Sequence, residues 1–160
     1  MSNWPRRFLR LANHLAVEWS KDNSTKVGCV LVNPRTNAVI ATGVNGFARG
    51  VEEHPTSPRW TRPTKYLWCE HAERNAIYNA ARHGHPTDGC VAYLNWNPTT
   101  SICCACARAF IQCGIVAVYG PQNSVQQPAG FVDDSGWRTE CTTAAAMLAE
   151  AGVKVEVLPL

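Results

Sequence analysis

No stretch of this sequence is apolar for long enough to span a bilayer, and Trp4-Pro5-Arg6-Arg7 interrupts any apolar core of the kind a signal peptide needs. Membrane insertion and export are therefore not expected, and the chain is expected to act in the cytoplasm. Charge is sparse as well. Only 17% of residues are charged, the net charge is +3, and no Lys/Arg run or basic-aromatic ladder is present. A nucleic-acid partner is thus not expected, although the mild positive balance suits a phosphorylated small molecule. No internal repeat is found. What is present is a 160-residue chain with 46% hydrophobic residues, enough to bury one continuous core, so residues 1–160 read as a single domain.

Eight cysteines would suggest a disulfide framework in a small secreted protein. Here Cys29, Cys90 and Cys113 lie inside apolar runs and read as small buried hydrophobes, which favours a reducing compartment and leaves other cysteines for a metal.

Apolar residues Trp4, Phe8, Leu11, Ala12, Leu15 and Trp19 recur at helical spacing after Pro5, so the first twenty residues read as an amphipathic helix. Residues 27–32 and 38–43 are short and rich in Val and Ile, and the Asn33-Pro34 turn region between them predicts an antiparallel hairpin. A long irregular connection is expected over 45–68, a length that is usually functional or disordered. A second helix over 72–81, a strand over 90–94, a helix over 103–113 ended by Gly114 and a strand over 115–119 follow. A glycine- and proline-containing stretch over 120–136 leads to a helix over 139–151 and a closing strand over 153–158. Helices between the last three strands force those strands parallel. The order αββαβαβαβ predicts an α/β fold, a three-layer α/β/α sandwich around a mixed five-stranded sheet. Trp4, Phe8, Trp19 and Phe110 are expected in the core.

Two short motifs carry chemistry. His71 and Glu73 are two apart and reach one ion only at a helix mouth, whereas Cys103 and Cys106 span one helical turn and can clamp a metal together. One imidazole and two thiolates leave the fourth tetrahedral position of Zn2+ open to water, which the ion acidifies toward neutrality. A helix N-terminus beneath the sulfurs is expected to lower both thiol pKa values. Each motif alone has a plainer reading: a surface histidine beside a solvated glutamate, a redox pair, or a structural zinc knuckle with Cys69 or Cys104 as fourth ligand. Together they favour hydrolysis.

The pairing of HxE with CxxC, joined by SKDNSTKVGCVLV from Ser20, GVNGFARG from Gly43 and KYLWCEHAERNAI from Lys65, resembles the deoxycytidylate (dCMP) deaminase family of the zinc-dependent cytidine deaminase superfamily. The likeness covers nearly the whole chain and implies a cytidine deaminase-like fold. It further implies that His71, Cys103 and Cys106 bind zinc, that Glu73 shuttles protons, and that dCMP is converted to dUMP and ammonia. Asn45 would contact the sugar, the Ala72 backbone would meet the base edge, and Ser24, Thr25 and Lys26 would lie near the phosphate. Gly43, Gly46, Arg49, Gly50 and Arg82 correspond to an effector site or subunit interface, with dCTP and dTTP as effectors and a homo-oligomer, commonly a hexamer, as the assembly. Two departures stand out. Ile102 replaces the proline before the first zinc cysteine, with Thr99 to Ile102 inserted after Pro98, and Ala48 replaces a proline in the glycine-rich stretch. The inserted residues are expected to lengthen a loop at the pocket. A deaminase of another base, nucleoside or modified cytidylate, and a zinc-stabilised binding or assembly module, are the alternatives.

Trp60 and Trp68 are expected either over the pocket or at a subunit contact. Arg6, Arg7 and Arg10 read as a solvated helix face, and His54, His83 and His85 as polar surface.

Overall fold

The computed structural model describes residues 3–123 and 136–159. Most of the connection expected over 120–136, together with Met1, Ser2 and Leu160, lies outside them. The elements run α1 (Trp4–Trp19), β1 (Gly28–Asn33), β2 (Ala38–Val44), β3 (Gly46–Phe47), a 3-10 turn (Pro58–Trp60), α2 (Lys65–Trp68), β4 (Cys69–Glu70), α3 (Ala72–Arg82), β5 (Val91–Leu94), α4 (Pro98–Ser101), α5 (Cys104–Gln112), β6 (Ala117–Pro121), α6 (Trp137–Glu150) and β7 (Lys154–Leu158).

The main sheet has five strands in the order β2-β1-β5-β6-β7. β1 pairs antiparallel with both β2 and β5, while β5, β6 and β7 are mutually parallel. α5 and α6 supply the crossovers that the parallel half requires, because neighbouring parallel strands cannot be joined by a tight hairpin. The expected three layers are present. Alternation along β1 sends Cys29 and Leu31 to one face and Val30 and Val32 to the other, as a period of two requires. The first face packs on α3, α5 and α6 through Ala76, Phe110 and Leu148. The second packs on α1 through Phe8, Leu9, Ala12 and Leu15.

Two glycines set how closely the layers approach. A Cβ on Gly28 would stand 2.2 Å from the Ala12 carbonyl oxygen of α1, and one on Gly43 would stand 2.3 Å from the Ala72 oxygen and the Ala76 nitrogen of α3. The sheet is therefore gripped on both faces by helices resting on bare backbone.

The tryptophans of α1 depart from expectation. Phe8 and Phe110 are buried, but Trp4 is 40% exposed and Trp19 is 60% exposed. The two residues lie in the first and last turns of α1, whose buried residues Phe8, Leu9, Ala12, Leu15 and Ala16 fall between them. Trp4 stacks on Phe8 instead, beneath the Arg7 guanidinium.

The long connection is more ordered than the sequence suggests. The paired β3 and β4, the 3-10 turn and the four-residue α2 all fall within or beside it. Phe47 stacks on Trp60 with ring centroids 4.2 Å apart, and the Arg59 guanidinium lies 4.1 Å from the Trp68 ring centre. Among the described helices, none is long and apolar enough to cross a membrane.

Candidate active site

The site forms where two helices begin. His71 is the N-cap of α3, with extended backbone, and Glu73 sits in that helix's first turn. This placement resolves the two-residue spacing, since the chain turns from extended to helical between them. The His71 amide donates to Glu70 Oε1 at 2.8 Å, and Glu70 in turn pairs with Arg74, so the entry into α3 is pinned. Cys103 is the N-cap of α5, its sulfur accepting the Cys106 amide at 3.5 Å, and Cys106 follows in the first turn.

His71 Nδ1 lies 3.5 Å from Cys103 Sγ and 3.5 Å from Cys106 Sγ, and the three donor atoms all fall within 4.8 Å of one another. Tetrahedral zinc, with ligand bonds near 2.0–2.3 Å, demands nitrogen-to-sulfur separations of about 3.6 Å. The donor set and its spacing therefore fit zinc. Among the described residues no fourth side chain joins the triangle. The Cys69 thiol is turned to the Glu70 carbonyl at 3.6 Å and the Cys104 thiol to the Glu140 carbonyl at 3.3 Å, which removes both fourth-ligand candidates.

The protonation states of the protein groups reflect this crowding. The Cys106 and His71 hydrogen bonds pull the Cys103 thiol down to about 3. The Cys106 thiol moves the other way, because it donates to Cys103 and is buried. The expected lowering of both thiols by a helix N-terminus is therefore not what is found: the hydrogen bond between the two sulfurs lowers Cys103 and raises Cys106. The hydrogen bond to Cys103 raises the pKa of His71. Glu73 is 3% exposed, and burial raises its carboxyl above the ordinary range while the neighbouring His71 lowers it.

His71 and Glu73 line a cleft of about 420 Å³ whose walls include Val27, Leu94, Trp96 and Trp137. The family model for the cytidine and deoxycytidylate deaminase zinc-binding region matches residues 2–120. The chain belongs to that deaminase family. An "Uncharacterized deaminase in luxG 3'region" from Aliivibrio fischeri is 36% identical over 100% of this chain and 97% of its own length. The deoxycytidylate deaminase of Mus musculus is 34% identical over 91% of this chain and 73% of its own. Among solved structures, the dCMP deaminase of cyanophage S-TIM5 in complex with dCMP and dUMP shares the fold at a TM-score of 0.69, with 20% identity and 99% and 98% of the two chains covered.

The other positions singled out by resemblance to this deaminase family divide into three groups. Asn45, Ala72 and Thr25 line the cleft. The Asn45 amide is fully engaged: its oxygen accepts Ser20 Oγ and the Val27 amide, and its nitrogen donates to Asp22 Oδ2 and the Thr25 carbonyl. Ser24 and Lys26 are not brought to the wall. The Ser24 hydroxyl is held between Asp22 and Lys65, and the Lys26 ammonium donates outward to the Val17 carbonyl at 2.8 Å. Gly46, Arg49 and Arg82 meet at a second cleft of about 390 Å³, whereas Gly43 is buried beneath α3 and Gly50 takes a positive φ of 81° at an exposed turn.

Several lining residues were not found from the sequence. Asp22, Arg62 and Lys65 stand on one side of the main cleft, and Trp96, Ser101, Trp137 and Glu140 on its wall. Ser101 had a signal: Asn97-Pro98 is a helix start, and α4 is capped by Asn97 accepting the Thr99 amide at 3.0 Å. The inserted residues therefore make a turn of helix rather than a longer loop, and Ile102 is buried.

Proposed function

We propose that the protein hydrolyses dCMP to dUMP and ammonia. The observation that carries this reading is the open donor triangle of His71, Cys103 and Cys106 with the buried Glu73 beside it, at the base of a cleft of nucleotide size. The relatives named deoxycytidylate deaminase support dCMP as the substrate.

Zinc held by the three ligands supplies a Lewis acid that makes water a nucleophile near neutral pH. Glu73 accepts the proton of the attacking water and delivers it to N3 of the ring as the oxygen adds to C4. A second transfer through the same carboxylate protonates the departing amine. A carboxyl raised by burial suits both roles, because an acid-base group works best with a pKa near the operating pH. The apolar walls hold the ring and exclude bulk water, and the Ala72 backbone faces the base edge. Asn45 orients the sugar side of the cleft by fixing the loop that carries Thr25.

The second cleft, with Arg49 and Arg82, is the place for a nucleoside triphosphate effector such as dCTP or dTTP, working through a homo-oligomer in the cytoplasm. Arg-phosphate pairing of this kind is strong and directional. One experiment tests the substrate. Zinc-loaded protein is incubated with dCMP, CMP, deoxycytidine, cytosine, guanine and adenosine, with and without dCTP and dTTP, and ammonia is measured. Release from dCMP above all others is expected; release only from another base, or none, overturns the reading.

A further inference from the structure

The wall of the main cleft formed by Trp96, Ser101, Trp137 and Glu140 offers hydrogen-bond acceptors and no free donor. The Ser101 hydroxyl commits its proton to the Asn97 carbonyl at 2.6 Å, which leaves its oxygen to accept. The Trp137 indole N–H donates to the Thr100 carbonyl at 3.2 Å, and the Trp96 indole nitrogen is buried. One Glu140 oxygen accepts the Cys104 amide at 3.0 Å, and the carboxylate makes no ion pair among the described residues. An ionised carboxylate only accepts, so its second oxygen suits a donor.

This wall is fastened through backbone groups. The Thr100 carbonyl accepts Cys141 Sγ at 3.2 Å as well as the Trp137 indole, and the Glu140 carbonyl accepts Cys104 Sγ at 3.3 Å. The first turn of α6 is thereby tied both to the inserted turn α4 and to the start of α5. Its acceptors are held in place before any ligand enters.

The reaction decides which edge of a base meets them. With oxygen adding to C4 and Glu73 serving N3, the N3 edge of the ring faces α3, which carries Glu73. Position 5 lies across C4 from N3, so a substituent there points away from Glu73 and toward α4 and α6. We propose that Ser101 and Glu140 read position 5 of the pyrimidine ring and favour a cytidylate whose 5-substituent donates a hydrogen bond, such as hydroxymethyl, over one whose substituent only accepts, such as formyl. This rests on the deamination of a cytidylate proposed above. Unsubstituted dCMP leaves the same acceptors to water.

The test is calorimetric binding of 5-hydroxymethyl-dUMP and 5-formyl-dUMP, the corresponding products, to zinc-loaded wild type, Glu140→Gln and Ser101→Ala. The wild type binds the hydroxymethyl nucleotide about 10- to 100-fold more tightly, the range for a hydrogen bond to a charged group. Glu140→Gln abolishes or reverses that ratio, because the new side chain keeps an oxygen for the Cys104 amide and brings an N–H donor to the cleft. Ser101→Ala lowers the ratio about 2- to 10-fold, as loss of a neutral hydrogen bond does, and gives a second route if the other variant folds poorly. A wild-type ratio at or below one, or a ratio that neither variant moves, overturns the assignment. Ammonia release from dCMP is read in parallel: an active wild type with a flat ratio sinks the position-5 assignment alone, while an inactive one sinks the deamination reading and this assignment with it.

Discussion

Lys65 Nζ donates to Asp22 Oδ2 at 2.7 Å across 43 residues of sequence, with both residues almost wholly buried, at 4% and 2% exposure. The pair ties the loop after α1 to the short helix before the metal motif. Asp22 also accepts the Ser24 and Thr25 amides, so the carboxylate organises a whole turn. Removing one partner of a buried pair leaves an uncompensated charge. Lys65→Met is therefore expected to lower stability by about 3–5 kcal/mol, read from urea unfolding of the zinc-loaded protein.

The proton-shuttle role proposed for Glu73 is separable from metal binding, since Glu73 lies outside the donor triangle. Glu73→Gln is expected to keep stoichiometric zinc while kcat on dCMP falls by about 10²- to 10⁴-fold. Metal analysis and an ammonia assay on the same sample check it, and loss of zinc from this variant would contradict the assigned role.

Cys106→Ala removes one corner of the triangle and is expected to lose the metal itself. A ligand that binds only the folded state raises its stability in proportion to the logarithm of its excess over Kd. Chelation should accordingly lower the melting temperature of the wild type and leave that of Cys106→Ala where it was.

Gly43→Ala tests the bare-backbone contact between β2 and α3. The new methyl group would meet the Ala72 oxygen and the Ala76 nitrogen at 2.3 Å, neither of which can swing aside. A loss of about 1–3 kcal/mol or more is expected, with reduced turnover because α3 carries His71 and Glu73. Thermal unfolding and dCMP kinetics on one preparation would show both effects.

The sheet and its direction were legible because local patterns encode them. Strand alternation, the turn at Asn33-Pro34 and helices between the last strands suffice for the strand directions. The His71, Cys103 and Cys106 donor triangle was legible because chemistry fixes the spacing of HxE and CxxC. The remaining cleft residues were not. Asp22, Arg62, Lys65, Trp137 and Glu140 meet only through the packing of distant segments, and no periodicity links them. Trp4 and Trp19 misled for a related reason: helical spacing names a face but does not say how far along the helix that face stays covered, and here the buried residues run only from Phe8 to Ala16.

The match to the deaminase zinc-binding region stops at residue 120, yet α6 begins at Trp137 and places Trp137 and Glu140 in the cleft. The donor triangle and part of the cleft wall thus occupy separate lengths of the polypeptide, joined by the Glu140 carboxylate resting on the Cys104 amide. Exchange of the last quarter of the chain between relatives would retune which molecule enters while leaving the hydrolytic apparatus in its original hands.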